Sequence, residues 1–284
     1  MPSINLITVV GPQTLLTLPH MLKYYRDRVD KMYASVYAPT RKEALDLLDH
    51  LDGVEILTVQ GRPEYNWNRV TALYNEAKRT KPNDWWVISD TDEFHAYGID
   101  TEQIIRTCDK NGYTFVTGGF LDRIGPDGTF PDIESADNIF EKFPLAGFFR
   151  YPMSNACPNK VVIAKGSQDI TSGQHFAVIG NTDSWRERGW NHPKRYPVEE
   201  CFAQVHHFKW DSTCIQRIKD VASVKKQYAF SEEYQRMYQS MKDSDFRINI
   251  KKSEYRIESL ENLSYINYSD YKQWDDLKNE IIQI

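Results

Sequence analysis

The first 90 residues alternate between short strand-like runs and helix-length segments, and this alternation narrows the fold more than any other feature of the chain. Ile4 to Val10 is an apolar run closed by Gly11-Pro12. Leu15, Leu18, Leu22 and Tyr25 follow at spacings of three or four, which predicts a helix; Pro19 inside that stripe requires a late start or a kink. Met32 to Tyr37 reads as a strand, Arg41 to Leu51 as a helix with Leu45, Leu48 and Leu51 on one face, and Val54 to Val59 as a third strand ended by Gly61-Arg62-Pro63. Val70, Leu73, Tyr74 and Ala77 give a third helical stripe, Pro82-Asn83-Asp84 breaks it, and Trp85 to Ser89 forms a fourth strand. Four strands divided by three helices predict an α/β fold: a mostly parallel sheet with helices on both faces. Ligands of such sheets sit outside the carboxyl ends of the strands, where Gly11, Pro39-Thr40, Gln60-Gly61 and Asp90-Thr91-Asp92 all fall.

Beyond residue 112 the pattern changes. Tyr113 to Leu121, Val161 to Ala164 and Cys201 to Trp210 read as strands, with a turn-rich Gly125-Pro126-Asp127-Gly128 between the first two. From about Ile215 the chain is charged and helical, and Tyr271 to Ile284 reads as a last helix. The expected organisation is one domain over 1–215, with halves 1–110 and 111–215, and a helical extension over 216–284 packed on the same domain.

Composition sets outer limits. Forty Asp and Glu against 35 Lys and Arg leave a net charge of −5, which argues against nucleic-acid binding by bulk charge and leaves a local basic groove open. No apolar run approaches the ~20 residues of a membrane span. The opening MPSINLITVVGPQ lacks the basic, then apolar, then small-residue order of a signal peptide. Cys108, Cys157, Cys201 and Cys214 contain no CxxC pair and read as reduced thiols. The expectation is a cytoplasmic protein.

Chemistry concentrates in a few segments. In Trp85-Trp86-Val87-Ile88-Ser89-Asp90-Thr91-Asp92-Glu93-Phe94 an apolar strand runs into three carboxylates, which repel one another unless a cation or a basic partner holds them. If the segment is extended, Asp90 and Asp92 point the same way, and two hard oxygen donors suit Mg²⁺ or Mn²⁺. An EF-hand loop would need Gly where His95 stands and Glu where Thr101 stands. A phosphatase of the haloacid dehalogenase type would carry its DxD at the first strand. Val205-His206-His207-Phe208 places two adjacent histidines on a strand, of which only one can face a site; His207 is the expected third metal ligand and His206 the alternative. Asp122-Arg123 is either a turn salt bridge or a carboxylate near a reacting hydroxyl with an arginine on a phosphate. Lys160 is either a surface lysine at a strand start or a phosphate contact, and His175 is a candidate acid or base.

Taken together, WWVISDTDEF (85–94), DRIGPDGTFPDI (122–133), FPLAGFF (143–149), CPNKVVIAKG (157–166), GQH (173–175) and HHFKW (206–210) resemble a family-2-like group of bacterial and phage glycosyltransferases with the GT-A fold. The resemblance covers about residues 4–220. It implies a GT-A-like, Rossmann-type sheet with a nucleotide-sugar-binding half (1–110), an acceptor half (111–215) and a helical C-terminal tail. The implied activity is inverting transfer of a sugar from a nucleotide-sugar donor, usually a UDP-sugar, with Mn²⁺ or Mg²⁺ at the diphosphate. Carried over, Asp90 approaches the ribose or a metal-bound water, Asp92 ligates the metal, His207 completes the site, and Gly11 lies near the nucleotide. Asp122 and His175 are the candidates for the acceptor's proton. The expected acceptor is a saccharide or glycolipid headgroup. Arg186, Arg188, Lys194 and Arg195 among aromatics keep modified phage DNA as the alternative acceptor. A non-catalytic carbohydrate- or nucleic-acid-binding module is a further alternative.

Overall fold

The computed structural model describes residues 2–63, 66–147, 159–180, 192–198, 200–223 and 230–249. In chain order the elements are β1 (Ile4–Val10), α1 (Leu18–Tyr25), β2 (Lys31–Ala38), α2 (Arg41–Asp46), β3 (Glu55–Gly61), α3 (Trp67–Arg79), β4 (Trp85–Ile88), β5 (Glu93–Ala96) and α4 (Thr101–Asn111). They continue as β6 (Phe115–Ile124), α5 (Ile139–Lys142), β7 (Leu145–Gly147), β8 (Asn159–Lys165), β9 (Ala203–His207), α6 (Cys214–Ser223) and α7 (Ser231–Lys242). The chain divides into two compact units: Met1–Gly119 with Asn159–Val205, and Phe120–Pro158 with His206–Ile284. That division cuts through the 1–215 span read as one domain.

The first unit is the α/β layer. Its strands lie in the order β3-β2-β1-β4-β8-β6-β9-β5. β1 pairs in parallel with β2 and β4, and β2 in parallel with β3. β8 then runs antiparallel to both β4 and β6, so the sheet is mixed and its parallel half is the amino-terminal one. Strands β1 and β2 are buried along almost their whole length, as expected of parallel strands covered by helices, whereas β3 at the edge is largely exposed. Ile7, Tyr33, Tyr74, Trp86, Ile88, Phe115, Val161 and Ala164 form a continuous core. Each large apolar side chain there contributes about 1.5–3 kcal/mol when removed from water.

Local chemistry sets the helix ends. α1 begins at Leu18 and carries Pro19 in its first turn, where a missing N–H costs nothing. Thr40 and Glu43 form a capping box on α2, Asn66 caps α3, and Asp100 caps α4. Gly118 lets β9 approach β6, because a Cβ there would stand 2.4 Å from the Ala203 carbonyl.

In the second unit the later residues of β6 pair antiparallel with β7, Asp122 lying opposite Gly147 and Ile124 opposite Leu145. Ile124, Trp210, Cys214, Ile218, Met237, Met241 and Ile248 form its core. Thus α6 and α7 supply the helical character expected after Ile215, while the helix expected over 271–284 lies outside the described residues. Cys108, Cys201 and Cys214 are buried, and burial pushes each thiol up to about 12; Cys157 lies outside the described residues. Among the described residues no helix is long and apolar enough to cross a membrane.

Candidate functional site

The site starts where β4 leaves the sheet. Trp85 to Ile88 are fully buried, and the Ser89 N–H still donates to the Ile7 carbonyl of β1 at 3.2 Å. Asp90 is therefore the first residue beyond the parallel pairing. The chain turns there, with the Glu93 N–H donating to the Asp90 carbonyl at 3.0 Å and the Ser89 hydroxyl donating to the Glu93 carbonyl at 2.7 Å. The extended course expected for 90–92 is thus replaced by a turn, because the Glu93 N–H and the Ser89 hydroxyl close the chain on itself before β5 begins. The two-residue alternation does not govern how Asp90 and Asp92 point.

Asp90 is half-buried and held from several sides. Its Oδ1 accepts from the Tyr74 hydroxyl at 2.5 Å and from Gln174 Nε2 at 2.9 Å, and its Oδ2 lies 3.5 Å from Lys160 Nζ. Tyr74, buried in α3, also accepts from the Val9 N–H at 3.3 Å and so ties the end of β1 to this carboxylate. Desolvation by the surrounding protein raises the Asp90 carboxyl above its ordinary value, Lys160 acts against that, and Glu93 and Asp92 add to it. Gly11, read as a nucleotide contact, closes β1 two residues past Val9; its carbonyl accepts from the Thr14 hydroxyl at 2.7 Å.

Lys160 is not the surface residue that a strand start suggests. It is 2% exposed on β8, and its ammonium lies 2.7 Å from Glu93 Oε1 and donates to the Gly173 carbonyl at 3.2 Å. Burial lowers its proton affinity, but Glu93 and Asp90 outweigh that, and the net direction is upward. Glu93 in turn faces buried His95, whose Nε2 lies 3.8 Å from Glu93 Oε2 and whose Nδ1 lies 3.2 Å from the Tyr97 hydroxyl. Burial holds His95 below its ordinary value. Asp92 and Glu93 each offer a carboxylate oxygen, and these lie within 4.8 Å of each other.

The segment opposite is a tight turn. Gly173 has φ 68° and Gln174 φ 59°, the latter a left-handed conformation uncommon outside glycine. A Cβ on Gly173 would stand 2.6 Å from His175 Nε2, so the glycine makes room for the imidazole. His175 Nδ1 lies 2.8 Å from the Asn159 carbonyl, to which it donates. Burial, then the charge on Lys160, pushes His175 down to about 4. It is neutral at pH 7, with its donor already committed.

The remaining expected residues belong to the second unit. Asp122 and Arg123 lie within β6, not in a turn. Arg123 is buried, donates to the Phe143 and Phe140 carbonyls at 2.9 and 3.2 Å, and lies 2.9 Å from His206 Nδ1. It is thereby held by protein groups, none of them the adjacent Asp122. Asp122 Oδ1 accepts from His207 Nδ1 and from Trp210 Nε1, each at 2.9 Å. The two histidines therefore have separate partners, as strand alternation requires. Of the basic aromatic segment, residues 186–191 lie outside the described residues.

Among these groups, Asp90, Glu93, Lys160 and the 173–175 turn come together within the first unit, along with Tyr74 and His95, which sequence reasoning did not place in the site. Tyr74 is visible in the sequence only as a core position of a helical stripe, and Gln174 lies 84 residues from the carboxylate that it touches. Hard carboxylate oxygens from Asp92 and Glu93 fit a divalent cation of the Mg²⁺ or Mn²⁺ type.

No family profile matches this sequence, and no curated protein matches it. Solved structures do show likeness. A putative glucose-1-phosphate thymidylyltransferase from Bacillus anthracis, in complex with sucrose, is 10% identical with a TM-score of 0.35, over 82% of this chain and 99% of that one. S. aureus TarS is 9% identical with a TM-score of 0.31, over 84% of this chain and 43% of that one. A mannose-1-phosphate geranyltransferase from Thermus thermophilus is 14% identical with a TM-score of 0.29, and the matched region spans 46% of this chain and 44% of that protein. These likenesses are distant and carry no part of the functional argument.

Proposed function

We propose that this protein is a metal-dependent glycosyltransferase that moves a sugar from a nucleotide-sugar donor, a UDP-sugar, to a hydroxyl of a saccharide or glycolipid headgroup, with inversion. The observation that carries this reading is the carboxylate turn at the carboxyl end of β4, buttressed by Tyr74, Gln174 and Lys160. A polar cluster fixed by buried partners at the ligand-binding edge of a parallel sheet is a rigid platform for a charged ligand.

In this reading Gly11 and Asp90 face the nucleotide, and Asp92 and His207 are each ligands of Mn²⁺ or Mg²⁺. Such a cation offsets the negative charge that builds on the departing diphosphate. Lys160 fixes Glu93 and Asp90. His175 is neutral and anchored to the Asn159 carbonyl. The test is incubation of the purified protein with a panel of nucleotide sugars and Mn²⁺, following release of the nucleoside diphosphate. Release from one donor, abolished by EDTA, is expected. No release from any donor, together with no donor binding, would contradict the reading.

A further inference from the structure

The sequence offers Asp122 as the group that takes a proton from the acceptor, but its surroundings in the second unit fit another task. The Asp122 side chain is 8% exposed, and its Oδ1 is already the acceptor for two donors, His207 Nδ1 and Trp210 Nε1, each at 2.9 Å. An ionised carboxylate only accepts, so the nitrogen facing it must carry the proton. In neutral His207 that fixes the lone pair on Nε2. The ring plane is fixed too, because Phe120 stacks on it at 4.6 Å with 19° between the planes. The adjacent His206 is held apart by Arg123.

We propose that Asp122 is a positioning residue which locks the tautomer and orientation of His207, so that Nε2 is presented to a divalent cation; this rests on the reading above in which His207 ligates the metal. A carboxylate behind a ligating imidazole fixes its orientation and raises its donor strength, and loss of such a partner weakens metal binding about 10–100-fold. Trp210 completes the arrangement by pinning the carboxylate from its other side.

The experiment measures Mn²⁺ affinity of the full chain by calorimetry without any nucleotide, and the His207 tautomer by long-range ¹H–¹⁵N correlation. Asp122→Ala is expected to weaken Mn²⁺ about 10–100-fold and to release the Nδ1–H tautomer, while Asp122→Asn, which keeps an acceptor oxygen, restores most of both. Unchanged affinity and tautomer in Asp122→Ala would overturn the proposal and leave the metal reading standing. Failure of the wild-type protein to bind Mn²⁺ would overturn both. Should Asp122→Ala not fold, Trp210→Phe removes one of the two donors that place the carboxylate, and an unchanged Mn²⁺ affinity there overturns the proposal equally.

Discussion

Lys160 Nζ lies 2.7 Å from Glu93 Oε1, and neither side chain is more than 2% exposed. This buried ion pair joins β8 to the first residue of β5, directly behind the turn that carries Asp90 and Asp92. Its contribution is to position, since two buried charges lose hydration that their attraction barely offsets. Removing one partner is another matter. Lys160→Met would strand a buried carboxylate, and the expected loss is about 3–5 kcal/mol in urea unfolding. The double variant Lys160→Met/Glu93→Leu should recover a large part of that loss. A single variant as stable as wild type would show that the pair does not hold the turn.

The Tyr74 hydroxyl joins the end of β1 to Asp90. Tyr74→Phe keeps the ring in the core and removes only the oxygen, so the expected cost is about 1.5–3 kcal/mol, the range for hydrogen bonds to charged groups. Donor binding should weaken as well, because Asp90 loses one of its two Oδ1 donors. Calorimetry with the donor and chemical denaturation measure the two effects separately. An effect on stability alone would detach Asp90 from the donor site.

Much of this architecture is legible in the chain, for identifiable reasons. The strands β1 to β4 are short apolar or aromatic runs with Gly or Pro signals nearby, and the helices between them have apolar stripes, two of them with clear caps. Pro19 marks the late start of α1. The alternation of His206 and His207 is legible because a strand has period two. By contrast, β5 begins with Glu93 and includes His95, and nothing local shows that these polar residues are buried; Lys160, 67 positions on from Glu93, makes it possible. The same holds for Gln174 and Asp90. The turn at 90–92 reads as extended from the sequence because it is closed by the Glu93 N–H on the Asp90 carbonyl and by the Ser89 hydroxyl, a pairing that leaves no mark in composition.

His175 gives the stability a pH dependence with a definite sign. Its folded-state value, about 4, lies below the ordinary 6.5, so between those values the unfolded chain binds more protons than the folded one. Stability from this group is present above about pH 6.5 and is lost as pH falls toward 4. His95, also lowered, acts in the same direction. The urea midpoint should therefore rise from pH 5 to pH 7, and His175→Asn, which keeps a donor for the Asn159 carbonyl, should flatten that rise. An equal slope in both proteins would remove His175 from the account.

Asp92 is the proposed carboxylate ligand of the cation. It is partly exposed at the turn, so Asp92→Ala should leave the melting temperature nearly unchanged while removing a hard oxygen donor. The decisive measurement is calorimetric titration of a nucleotide-sugar panel into wild-type and Asp92→Ala protein, with and without Mn²⁺. Binding of one donor by the wild type that depends on Mn²⁺, and its loss in the folded variant, is the predicted result. Equal, metal-independent binding in both proteins, or none in either, would contradict it.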